Sequence, residues 1–162
     1  MKRDHVGKNL ALGAAAGFAG TALMQGMMIA TRKYTPQFLP PMRDNPDHFI
    51  IKQAERLLPE ETQKKIPEQM ETAAQYALAF GYGMTLTSIY AGARGERGNL
   101  WLDGTALGLG TWAIGYLGWL PATKLTPPVW KQKPKQVLPG ILSHVLFGIA
   151  AIGLFRLAQK KL

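Results

Sequence analysis

Four stretches of this chain contain no charged residue: 9–31, 72–93, 104–123 and 136–155, each 20 to 23 residues long. A helix needs roughly 20 apolar residues, at about 1.5 Å rise per residue, to cross about 30 Å of hydrocarbon. One such run is compatible with the core helix of a soluble domain. Four of them in a chain of 162 residues are not. The expected fold is therefore all-α, an integral membrane four-helix bundle formed by residues 1–162 as a single transmembrane domain.

The mean hydropathy of −0.04 conceals this segregation, because the charges are concentrated in the connections. The net charge of +9 raises the question of nucleic acid, but its distribution answers it. Basic residues gather at the ends of the runs: Lys2-Arg3, Arg32-Lys33, Arg94 with Arg97, Lys131 with Lys133 and Lys135, and Lys160-Lys161. Cations in those places meet anionic headgroups, so the expected partner is the lipid bilayer and not nucleic acid. The absence of cysteine excludes disulfides, thiol catalysis and cysteine metal sites. The first apolar run begins like a secretory signal after Met1-Lys2-Arg3 but continues to Thr31. That is well beyond the ~7–15 residues of a signal core, and an uncleaved helix is expected.

An even number of crossings puts both termini on one side of the membrane. Lysines and arginines number 11 on the side of the two large loops and 8 on the other, where they lie close to the span ends. The expectation is both termini cytoplasmic. Within the first large loop, Asn45-Pro46-Asp47 reads as a helix start. Ile50, Ile51, Ala54, Leu57 and Leu58 then share one face opposite Lys52, Glu55 and Arg56. This predicts an amphipathic interfacial helix over 46–58, ended by Pro59. The second span is expected to start at Pro67-Glu68, and Asp103 is read as the N-cap of the third.

Small residues recur four apart: Gly13/Gly17 and Ala16/Gly20 in the first run, Ala77/Gly81 in the second, Gly104/Gly108 and Ala106/Gly110 in the third. Gly140 and Gly148 flank His144 at the same spacing in the fourth. Lipid offers no hydrophobic drive between helices, so close backbone approach must supply the association. Trp101, Trp119 and Trp130 fall near span ends, as interfacial anchors do.

His144 is the sharpest candidate for a special role, since an imidazole in hydrocarbon needs a hydrogen-bond partner. Gln25 and Tyr116 fall at its depth, with Gln75 and Tyr82 bracketing that level. Two readings follow: an interhelical hydrogen-bond clasp, or a polar pocket opening towards the large loops. A neutral ring is expected in either. Asp44, Asp47 and His48 offer too few oxygens for a hard metal. Ser143 and its neighbour His144 point about 100° apart on a helix and form no dyad. No phosphate-binding loop, catalytic residue, metal site or cofactor site is expected.

Two loop motifs carry a resemblance. Leu39-Pro40-Pro41, followed by Arg43, lies after the first span. Leu125-Thr126-Pro127-Pro128-Val129 lies after the third, with His144 beyond it in the fourth. In these motifs and in its four-span layout the chain resembles the YagU-type family of bacterial inner-membrane proteins. That resemblance implies a multi-pass inner-membrane protein with no assigned reaction. The role expected is structural or accessory, binding a membrane-protein partner, a second copy of the chain or another membrane component. The alternative is a small transporter or channel using the level of Gln25, Tyr116 and His144, although no charged side chain within the spans is available to couple an ion gradient.

Overall fold

The computed structural model describes residues 2–95 and 98–161, with side chains from residue 6 onward. Arg97 and the terminal Leu162 therefore lie outside the described residues. The chain is 82% helix and no strand occurs among the described residues. Helix α1 spans Lys2–Tyr34, α2 Pro46–Glu55, α3 Glu60–Gln63, α4 Glu68–Arg94, α5 Leu100–Ala113, α6 Leu120–Ala122 and α7 Pro134–Lys161. A π-helical segment, Ile114–Trp119, joins α5 to α6, so that these three form one bent rod.

Four rods thus carry the fold, and they alternate in direction. Asn9 of α1 accepts a hydrogen bond from Gln159 near the end of α7, at 2.8 Å. The two large loops meet at the opposite end, where the Arg43 amide donates to the Leu125 carbonyl at 2.9 Å. The rods associate chiefly as α1 on α4, α5 on α7, and α1 on α7. Consecutive α4 and α5 touch little, which leaves the bundle open along one seam.

Glycine makes the first two contacts possible. On α1, a Cβ at Gly17 would lie 2.6 Å from the Gly83 carbonyl oxygen and 2.9 Å from the Met84 Cα, so the backbones of α1 and α4 touch. Gly13 sits equally tightly against Ser88 and Ala91. Between α5 and α7 the device is reciprocal: Gly104 and Gly108 receive the backbone at Ile149 and at His144–Val145, and Gly148 receives that at Gly104 and Gly108. Gly20 closes on Phe147 and Ala151 across the α1–α7 contact. Around these seams, Leu107, Phe147, Ala151 and Ile152 form one buried cluster and Ala16, Ala91 and Phe155 another. Not every small-residue pair packs. Gly81 and Gly110 have open space where a Cβ would go, because Ala77/Gly81 and Ala106/Gly110 lie on outward faces.

Two rods, over Val6–Tyr34 and Pro134–Lys161, are long and apolar enough to cross a membrane. Only 28% and 22% of their most apolar windows are buried, so neither resembles the core helix of a soluble protein. The other two rods differ from the expectation for physical reasons. Helix α4 has the length but carries Gln75, Tyr76, Tyr82, Thr85, Thr87 and Ser88. The third rod starts earlier than expected, at Leu100, and is interrupted by the π segment, with a kink at Gly118 (φ −100°, ψ −107°). Both terminal rods also run past their charge-free cores, α7 reaching Lys161.

The loop helix α2 begins as expected, with the Asn45 side chain accepting from the Asp47 amide at 2.9 Å. It ends at Glu55 rather than 58; Leu57 and Leu58 lie in the following turn. It packs on α4, where Lys52 bridges Glu71 at 2.6 Å and Glu55 at 3.0 Å. Those two carboxylates, Glu71 first, raise the Lys52 ammonium above its ordinary pKa.

Replacing Gly17 by Leu is expected to lower the melting temperature in detergent, at a cost of about 1–3 kcal/mol for overpacking a backbone contact. Gly81→Ala is expected to be neutral or to stabilise by up to about 1 kcal/mol, since it adds helix propensity in open space. Thermal melts of the two variants in the same detergent check both; equal destabilisation would remove the distinction between the faces.

Candidate functional site

Helix α7 sets the position of His144. Pro139 lacks an amide hydrogen, so the helix there is already short of one ladder bond. One residue on, the Gly140 carbonyl accepts both Ser143 Oγ, at 2.9 Å, and His144 Nδ1, at 2.7 Å. A carbonyl can only accept, so Nδ1 carries a proton and donates it to Gly140. The ring stands edge-on to Tyr116, with centroids 5.8 Å apart at 90°, and Tyr116 stacks on Trp112 at 5.9 Å. The π segment places Tyr116 here, and the three rings form a ladder between α7 and the third rod.

This corrects part of the expected cluster. His144 and Tyr116 do come together, but by ring contact. Neither Gln25 nor Gln75 hydrogen-bonds to His144, and Tyr82 is exposed on α4. The reason is local: a carbonyl one turn back on the same helix satisfies the imidazole donor without a second helix. Thr21 on Gly17 and Thr111 on Gly108 turn back in the same way, both at 2.8 Å.

The two loop motifs, 85 residues apart in sequence, meet in space. Thr126 is almost fully buried and its hydroxyl donates to the Pro41 carbonyl at 3.1 Å. The neighbouring Arg43 amide donates to Leu125, whose side chain is also buried. Gln132 then closes the second loop on itself, its amide reaching the Pro127 carbonyl at 2.6 Å and Thr126 Oγ1 at 3.1 Å. The prolines explain the arrangement. Residues that cannot donate leave carbonyls to be satisfied across the loops, and their fixed φ presents those carbonyls without further ordering.

A third cluster at the opposite end was not foreseen. Asp103 is not the N-cap of α5. Asn99 is, its side chain accepting from the amides of Trp101 and Leu102 at 2.8 and 3.3 Å. Asp103 lies in the first turn, 3% exposed, and its carboxylate binds three partners. Tyr90 Oη donates to Oδ1 at 2.9 Å, Arg94 Nη2 donates to Oδ1 at 3.0 Å, and Arg156 Nη2 donates to Oδ2. One carboxylate thereby joins α4, α5 and α7. Gly98, with φ +108°, covers it; a Cβ there would collide with the Asp103 carboxylate and lie 2.8 Å from Arg94 Nη2. The sequence held a signal: one acid beside a span end that it shares with Arg94 and Arg156, in surroundings where an unpartnered carboxylate is costly.

No family model, no curated protein and no solved structure matches the chain.

His144→Leu is expected to leave the melt nearly unchanged, because the Gly140 carbonyl keeps its helical bond. His144→Lys, which strands a charge in the ring ladder, is expected to lower it clearly. Asp103→Asn is expected to destabilise more than either Arg94→Gln or Arg156→Gln. It removes the carboxylate charge from beside both guanidinium groups at once, whereas each arginine variant leaves the carboxylate two of its three partners. Melting curves of the single variants and of the Asp103/Arg156 pair give the coupling directly; purely additive effects would mean that the ion pair carries no stability.

Proposed function

We propose that the chain is a four-span bacterial inner-membrane protein with both termini cytoplasmic and an accessory, non-enzymatic role. It binds another membrane component and turns over no substrate. The observation that carries this reading is that α1, the third rod and α7 are apolar on their outward faces, and α4 is so in part. Phe18, Leu23 and Ile29 on α1, Ile89 on α4, Leu109, Ile114 and Leu117 on the third rod, and Leu142 and Leu146 on α7 are all exposed. Soluble monomers do not present such continuous apolar area, whereas a bilayer requires it. The Thr21, Thr111 and Ser143 hydroxyls and the His144 imidazole bond within their own helices. This favours a packing role over a conducting path. The likeness of the two loop motifs to the YagU-type family belongs to the same reading, and their mutual contact makes the loop knot its best partner surface.

Reporter fusions after the C-terminal lysines and within 60–65 are expected to report opposite compartments, the C-terminal one cytoplasmic. The same compartment for both would overturn the four-span arrangement. Affinity purification of the full chain in mild detergent is expected to retain a stoichiometric membrane partner, weakened by Thr126→Ala. A solute-dependent thermal shift with no retained partner would favour transport instead.

A further inference from the structure

The open seam between α4 and α5 is a groove of about 340 Å³. Its walls are Leu86, Ile89 and Ala93 on one side and Leu107, Gly110 and Ile114 on the other. The Thr111 hydroxyl in it is already committed to the Gly108 carbonyl. At one end stand Tyr90 and Arg94, the only charged residue of the lining among the described residues. Arg94 is bound to Asp103 through Nη2 alone, and its side chain remains 53% exposed. From Arg94, α4 runs eight residues back to Leu86, about 12 Å of helix along which the groove is apolar. A cation at the rim with an apolar channel leading inward from it is the complement of one lipid molecule.

We infer that this groove binds an anionic phospholipid, its phosphate on the Arg94 guanidinium and an acyl chain between α4 and α5. The inference rests on the membrane-spanning reading. A bound chain supplies the packing that α4 and α5 do not give each other, while the phosphate takes up the guanidinium donors that Asp103 leaves. Phosphatidylglycerol is the probe that separates this site from a general apolar surface, because it differs from phosphatidylcholine in headgroup charge and not in its chains.

The test is native mass spectrometry of the full chain in mild detergent, titrated in parallel with phosphatidylglycerol, phosphatidylcholine and inorganic phosphate. One phosphatidylglycerol per chain is expected to be retained preferentially, with no retention of inorganic phosphate. Arg94→Gln is expected to weaken it roughly fivefold to tenfold, as loss of one basic contact to an anionic headgroup implies. Gly110→Leu is the second variant, because open space at Gly110 lets the new side chain fill the groove without touching a packed helix. It is expected to abolish retention with an undiminished melting temperature. Equal retention of both lipids, or retention unaffected by Gly110→Leu, would overturn the proposal, as would a protein segment found occupying the groove. Alkaline carbonate extraction of membranes separates the two failures. A chain that stays with the pellet but shows no lipid preference loses only the lipid site; a chain that is extracted loses the membrane reading as well.

Discussion

Backbone-to-backbone contact at glycine is the constraint on which the rest of this structure depends. Where Gly17 meets Gly83 and Gly108 meets the carbonyl of His144, there is no room for a single additional carbon atom. Contacts this close gain dispersion energy along the whole helix pair. They also fix the rotation of each helix about its axis, which decides what every other side chain faces. Leu107, Phe147 and Ile152 point inward because Gly104, Gly108 and Gly148 set the α5–α7 pair. Phe18, Leu117 and Leu142 point outward for the same reason.

The two ends of the bundle are closed by different chemistry. At the loop end, prolines and a buried threonine tie two segments together through backbone carbonyls, with no charge involved. At the terminal end a single carboxylate joins three helices through Tyr90, Arg94 and Arg156. The contrast follows from what each end must hold. Loops need their turns fixed, which neutral backbone bonds do well. Rods that touch little, as α4 and α5 do, need an interaction that reaches across a gap, and the long Arg94 side chain supplies it. The same gap forms the groove beside Arg94.

Between these ends, polar side chains mostly turn inward on their own helices. Thr21, Thr111, Ser143 and His144 each bond a carbonyl three or four residues back. Ser88, bonded to the Leu10 carbonyl at 2.9 Å, crosses between helices instead. Polar groups satisfied locally cost little in an apolar medium and leave association to shape. His144 is the instructive case: its depth in α7 foretold that it needed a partner, and the partner was already present at Gly140.

The sequence by itself determined the all-helical fold, the approximate extent of the four rods, the glycine faces of α1, α5 and α7, and the start of α2 at Asn45-Pro46. These are local or periodic properties, legible because charge, glycine spacing and proline act where they stand. Only the tertiary structure decided which small-residue faces are used, since Gly81 and Gly110 share the spacing of Gly13 and Gly108 yet face outward. It also decided that Asp103 pairs with two arginines instead of capping its helix, that Gln25 takes no part at His144, and that two proline motifs 85 residues apart touch. Each of those outcomes depends on the rotation and lateral order of packed helices. That information resides in pairs of elements, and no single stretch of chain carries it.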